Sequence, residues 1–216
     1  MHTFIDHIVV VAPTLAAGAK FVEDALGVAP QPGGAHARMG THNLVLRLGN
    51  TVYLEIMAAD PAACAPERPR WFGLDDLAVT ATPRLATWVA RTNDIHAAQE
   101  ACATTAGPVE PMTRGDLSWR ITIPQDGGLP LAGCAPTFIQ WDGNIHPASA
   151  LTDVGCRLSA LDLFHPDPDR IKEILTAVNF DGCVRPHGFD VHSLPEGASP
   201  YLVAHIETPH GMRTLS

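Results

Sequence analysis

Two ionisable residues sit inside apolar runs of strand-forming residues: His7 in Asp6-His7-Ile8-Val9-Val10-Val11, and Glu55 in Val52-Tyr53-Leu54-Glu55-Ile56-Met57. Side chains alternate faces along a strand, so His7 is expected to share a face with Ile5, Val9 and Val11, and Glu55 with Tyr53 and Met57. A lone carboxylate in such a place costs several kcal/mol unless a metal, a cation or hydrogen bonds offset the loss of water. On neighbouring strands the two could offset each other across a cavity. That pairing suits proton transfer or metal ligation. The plainer alternative is a His7–Glu55 hydrogen bond inside a barrel, with no chemistry attached.

The elements around them repeat. Phe4 to Ala12 reads as a strand, and Thr14 caps a helix that runs to about Leu26. Arg84 to Thr92 reads as a second strand, followed by a helix that Asn93 or Asp94 can cap. Arg157 to Phe164 is a third; Asp167 and Pro168 then open a helix with Ile171, Ile174, Leu175 and Val178 on one face. Each helix is trailed by short strands: Asn43–Leu48 and Thr51–Met57 joined at Gly49-Asn50, then Leu117–Ile123 and Pro136–Trp141, then Tyr201–Glu207. The pattern implies modules over 1–58 and 84–142 with 59–83 as linker, within a domain reaching 150. A shorter module over 151–216 is expected to pack on them and close an open sheet edge.

Composition narrows the class. A chain of 216 residues, 46% hydrophobic, can bury a substantial core. Its net charge of −9 argues against a general nucleic-acid binder. No apolar run has the length of a membrane span, and the N-terminus enters a strand at once, which suggests a cytoplasmic protein. The five cysteines are scattered with no Cys-x-x-Cys pair, as expected of reduced thiols. The partner expected is a small molecule; a homodimer is compatible with this reading.

Asp-His-Ile-Val-Val-Val with its capped helix, Gly40-Thr41-His42-Asn43 and Tyr53-Leu54-Glu55 together resemble the glyoxalase-like domain family of the vicinal oxygen chelate superfamily. The resemblance continues through Trp88-Val89-Ala90-Arg91-Thr92, Trp119-Arg120, Gln140-Trp141-Asp142-Gly143, His146-Pro147 and Phe164-His165-Pro166-Asp167-Pro168. It implies an α+β fold of repeated βαβββ modules whose curled mixed sheet surrounds a cavity. It also implies one divalent metal between the first and fourth strands of two modules, and no other cofactor. On that template His7 and Glu55 fill the ligand places of module one. Thr87 falls opposite His7 and Gln140 opposite Glu55, so the implied ligand set is His7, Glu55 and Gln140, completed by water.

Alternation along Leu117–Ile123 makes Leu117, Trp119, Ile121 and Ile123 one apolar row, placing Arg120 toward the cavity, where it could clamp a substrate carboxylate. Arg91 could do the same from the face of Thr87 and Val89. His42 follows the glycine-rich stretch Gly33–Gly40, a candidate lid, and is the general acid–base candidate after Glu55; Asn43 is expected at the substrate, as is His146, for which a structural hydrogen bond is the alternative. Histidines 165, 187, 192 and 210 are expected in solvent. Two functions follow: an isomerase, lyase or hydrolase acting on a small oxygenated molecule, or a protein that binds such a molecule without turning it over. Specificity is expected in Gly33–Met39 and Gln125–Ala135.

Overall fold

A computed structural model describes residues 1–143, 146–189 and 199–216. The first repeat comprises β1 (Thr3–Val11), α1 (Leu15–Leu26), β2 (Gln31–His36), β3 (Thr41–Arg47) and β4 (Tyr53–Ala59). The second comprises β5 (Arg84–Thr92), α2 (Ile95–Ala101), β6 (Val109–Arg114), β7 (Leu117–Thr122) and β8 (Thr137–Trp141). The remainder holds β9 (Arg157–His165), α3 (Pro168–Ala177), β10 (Phe180–Asp181), β11 (Val184–Gly188), β12 (Tyr201–Thr208) and β13 (Gly211–Leu215). The expected caps form: Thr14 Oγ1 accepts from Ala17 N–H, an Asp94 carboxylate oxygen from Ala97 N–H, and one of Asp167 from Arg170 N–H.

Both repeats give the same four-strand pattern, and their first strands pair antiparallel. The sheet therefore reads β2-β3-β4-β1-β5-β8-β7-β6, with β10 as ninth strand beside the start of β1. Within each half the first strand is parallel to the fourth and the rest are antiparallel. This is the expected α+β architecture of βαβββ modules in one curled mixed sheet. No helix among the described residues is long and apolar enough to cross a membrane.

The two faces of the sheet carry different cores. On the convex face, Ile8, Val10, Leu54, Ile56, Trp88, Ala90 and Phe138 pack under α1 and α2. The last segment covers the same core with a separate sheet ordered β11-β9-β12-β13, contributing Leu161, Leu163, Leu202, Ala204 and Ile206. It covers a face; the edge closure expected of it is limited to the two residues of β10. On its outer side Asp162 accepts from Arg185, His187 and His205, so His187 is tied down by a carboxylate and not simply solvated. His192 lies outside the described residues.

The concave face is also apolar, and part of the expected linker fills it. Trp71, Phe72 and Leu74, from a 3-10 segment over Trp71–Asp76, are buried against Val9, Met57, Val89, Trp119 and Ile139. Phe72 takes the left-handed conformation at φ 59°, a strained choice for a bulky residue, and Gly73 N–H is anchored on Gly127 O at 2.8 Å. Stretch Gly33–Gly40 is not a free lid, since β2 runs to His36 and pairs with β3.

α1 approaches β4 at Gly18, where an added Cβ would lie 2.4 Å from Ile56 Cγ2 and 2.9 Å from Ala12 Cβ. Gly18→Val must therefore push the helix off the sheet and is expected to lower stability by about 2–3 kcal/mol. Urea unfolding measures this directly; an unchanged midpoint would show that α1 is not locked there.

Candidate functional site

The site is set by an irregularity in β1. Ile5 pairs with Ala90 and His7 with Val89, so Asp6 is an extra residue, a β-bulge. The bulge shifts the alternation by one place. Ile5 joins the convex core, whereas Val9 and Val11 join the concave one. His7 thus reaches the cavity with Val9, and Asp6 is left beside it.

His7 is held from both sides. Its Nδ1 donates to Asp6 Oδ1 at 2.6 Å, its Nε2 lies 3.3 Å from Glu55 Oε2, and its ring stacks on Tyr53 with centroids 4.5 Å apart. Asp6, with no solvent exposure, also accepts from Trp141 Nε1 at 2.9 Å and from His146 Nε2 at 2.8 Å. His146 Nδ1 accepts from Ala148 N–H, which leaves the proton on the nitrogen facing Asp6. The other oxygen of Glu55 accepts from the side-chain amide of Asn43, whose carbonyl in turn accepts from Gly34 N–H at 2.6 Å. A Cβ at Gly33 would lie 2.0 Å from Asn43 Oδ1, so this part of β2 has to be glycine.

Charge follows from this arrangement. Burial opposes the imidazolium of His7, but hydrogen bonds to Asp6 and Glu55 overcome it and raise its pKa to about 9. Burial likewise opposes the Glu55 carboxylate; the His7 hydrogen bond and charge, with Asn43, hold it at about 2. Asp6 is held below the usual carboxylate range, its burial outweighed by His146 and His7. The centre is therefore carboxylate–imidazolium–carboxylate at neutral pH.

Around it, Tyr53, Trp71, Phe72, Trp119, Ile121, Ile139 and Trp141 enclose a void of about 20 Å³, space for roughly one water. Trp71 Nε1 is buried with no protein acceptor among the described residues. At the rim, His36 and Arg114 join the lining. Burial pushes His36 down to about 4, so it is neutral, with Nε2 accepting from Arg114 at 3.0 Å and Nδ1 facing Thr41 Oγ1. A larger surface cleft of about 570 Å³ lies elsewhere, between Arg38, Cys64, Arg68 and Glu110. Its charges balance, Arg38 and Arg68 against Glu110, which both arginines bind, and Glu67, so the small void is the better candidate.

His7, Glu55, Asn43 and His146 are thus connected, but four other expected residues stand apart. Trp119, Ile121, Ile139 and Trp141 face the concavity; their neighbours Arg120 and Gln140 point the other way. Arg120 pairs with Asp142 at 3.3 Å, and Gln140 caps the start of α2 by accepting from Ile95 N–H and donating to Asn93 O. His42 lies on the face opposite Asn43, 3.9 Å from Asp60. Arg91 donates to Thr51 O and sits over the Phe4 ring, beside an outer cleft it shares with Gln140 and His146.

These positions bear on the metal. Glu55 lies across from Val9 and Thr137 across from Val89, so with Thr87 in the place of His7, Thr137 takes the place of Glu55. Thr87 gives its hydroxyl to Gly133 O. Among the described residues no three His, Cys, Asp or Glu side chains assemble into a metal site. One histidine and one carboxylate, already bonded to each other, do not fit the implied chelate.

Asp6, Tyr53, His36, Arg114, Trp71 and Trp141 complete the site without having been singled out for it. Asp6 adjoins His7 in sequence and Tyr53 shares the Glu55 face, His36 lies in the glycine-rich stretch and Trp141 in the Gln140-Trp141-Asp142-Gly143 motif; Trp71 and Arg114, from the linker and β6, carried no signal.

The raised pKa of His7 has a consequence for stability. A group more basic in the folded chain stabilises it fully below the unfolded value of about 6.5 and loses that contribution as pH rises toward 9. Melting temperature is expected to fall across pH 6.5–9 in the wild type, and His7→Gln should flatten that segment. An equal slope in both proteins would mean that His7 does not carry the buried charge.

No curated protein matches the chain. Among solved structures, a hypothetical protein from Staphylococcus aureus is similar over 88% of each chain at 14% identity, with a TM-score of 0.60. Methylmalonyl-CoA epimerase from Streptomyces coelicolor matches at 19% identity and TM-score 0.43, covering 64% of this chain and 97% of its own. The epimerase from Mycobacterium tuberculosis gives 14% identity and TM-score 0.39, covering 63% and 85%. Over residues 5–179 the sequence matches the family described as Glyoxalase-like domain. The chain belongs to the glyoxalase-like domain family.

Proposed function

We propose that the protein is an isomerase-type enzyme that moves a proton on a small oxygenated substrate, with Glu55 as base and His7 as the partner of the substrate oxygen. The observation that carries this reading is the His7 ring fixed between Asp6 and Glu55 in a buried, aromatic-walled cavity. Asp6 sets the orientation of the ring, and Asn43 sets that of the Glu55 carboxylate. A carbonyl oxygen entering between His7 Nε2 and Glu55 separates the pair. Glu55 then loses the contact that keeps its pKa low, while burial, which raises it, remains. The carboxylate removes a proton from the carbon beside the carbonyl, electrons move to oxygen, and the oxyanion accepts a hydrogen bond from the His7 N–H. Return of the proton to the conjugated carbon completes an isomerisation, whereas return to the same carbon gives back the substrate with that hydrogen exchanged. Trp71 Nε1 is a second donor available to a substrate oxygen.

Entry requires the Trp71–Phe72 segment to move, since the void of about 20 Å³ admits little more than a water. That closeness favours a second reading, a protein that clamps a small ligand without turning it over.

Proton abstraction is visible without product formation. In deuterium oxide, wild-type protein should catalyse exchange of the hydrogens beside the carbonyl in 2-oxo acids, followed by proton NMR. Glu55→Gln, which keeps the shape but removes the base, should slow exchange by about 10²–10⁴-fold with the melting temperature followed in parallel. Ligand binding by the wild type with no exchange would decide for the clamp.

A further inference from the structure

We infer that the substrate is a small carboxylate with one apolar substituent, its carboxylate recognised by Arg114 and its substituent by the pocket beside Tyr53. This deepens the proton-transfer reading and rests on it for the word substrate; the binding claim stands by itself.

Arg114 ends β6 and is half-buried at the rim of the His7–Glu55 void. Other arginines each have a carboxylate partner: Arg38 and Arg68 share Glu110, and Arg70 binds Asp75. Arg114 has no such partner, because among the described residues no carboxylate lies within ion-pairing range of it. Its recorded side-chain bond is to His36, which burial keeps neutral, so that contact aims the guanidinium without cancelling its charge. The stem is placed as well, since a Cβ on Gly34 would come within 3.1 Å of Arg114 Cδ. An oriented, uncompensated guanidinium in a partly dry wall suits a bidentate carboxylate.

Arg114 and Tyr53 also form the wall of a second pocket of about 210 Å³. Its other lining residues include Pro32, Val45, Leu117, Pro147 and Leu151. It brings no charged side chain except Arg114, and its volume suits a short alkyl chain or a single ring. The inner void and this outer pocket therefore share two residues, one cationic and one aromatic. A molecule lying across them would place its reacting carbonyl toward His7 and Glu55, its carboxylate on Arg114, and its apolar group against Tyr53, Leu117 and Leu151.

Three probes dissect this: 2-oxohexanoate, hexan-2-one, which lacks the carboxylate, and 2-oxopropanoate, which lacks the chain. Affinities are measured by NMR titration on wild type and on Arg114→Gln, Arg114→Lys, Leu151→Asp and Glu55→Gln, each checked for folding by its melting curve. The expected result is that 2-oxohexanoate binds at least tenfold more tightly than either truncated probe. That margin over hexan-2-one should vanish in Arg114→Gln and shrink in Arg114→Lys, and the margin over 2-oxopropanoate should vanish in Leu151→Asp. Should Arg114→Gln not fold, the wild-type series and Arg114→Lys decide. Equal binding of hexan-2-one and 2-oxohexanoate, absence of 2-oxohexanoate binding at millimolar concentration, or unchanged affinity in folded Arg114→Gln would each overturn the inference. Glu55→Gln separates the two levels. If it and the wild type bind 2-oxohexanoate through Arg114 but the wild type exchanges no deuterium, proton transfer fails and the ligand class survives. Exchange that does not depend on Arg114 has the opposite meaning.

Discussion

A buried imidazolium between two carboxylates is the arrangement on which the concave half of this protein depends. An isolated charge in that position would be expelled or neutralised at a cost of several kcal/mol. Three charges in a row, with every proton of His7 committed and each carboxylate given further donors, can remain. Asp6 receives Trp141 and His146, and Glu55 receives Asn43. These partners lie on β3, on β8 and at His146, so the polar chain joins both repeats and fixes how their strands meet. Removing one member would leave another buried and unpaired, which costs more than the single bond.

The sheet pays for this centre in its packing. Both of its faces are apolar, and each needs a cover. The convex face has α1, α2 and the four-stranded sheet. Among the described residues no α-helix covers the concave face, and the connection between repeats supplies Trp71 and Phe72 instead. Their aromatic bulk dries the His7–Glu55 contact and thereby strengthens it. Phe72 in the left-handed region, held by Gly73 on Gly127, shows that this cover is imposed by its surroundings.

A pseudo-two-fold sheet with an asymmetric site is the outcome. The first repeat places His7 and Glu55 on the concave face, while the second offers Thr87 and Thr137 at the matching points. The cationic groups at the void are His7 itself and Arg114 at the rim. The proposed chemistry is proton transfer beside a polarised oxygen, driven by a base whose strength rises when its partner is drawn away.

What could be determined from sequence was local or relative. Thr14, Asp94 and Asp167 cap helices through bonds three residues long, and the oddity of His7 and Glu55 in apolar strands needs no partner to be noticed. The family's order of elements, carried by motifs spread along the chain, gave the sheet. Tertiary structure decided everything that depends on which face is which. A period of two separates alternate residues without saying which set faces the cavity, and a slip of one exchanges them. Alternation makes Trp119 and Ile121 one apolar row and sets Arg120 on the other face, but this sheet is apolar on both sides, and it is the apolar row that lines the cavity; Arg120 and Gln140 go to the opposite face. The bulge at Asp6 arises from pairing with β5, whose Val89 and Ala90 are remote in sequence, and it brought Asp6 to the site. Arg114 met His36 across the gap between the two outer strands, β2 and β6, a closeness that exists only once the sheet has curled.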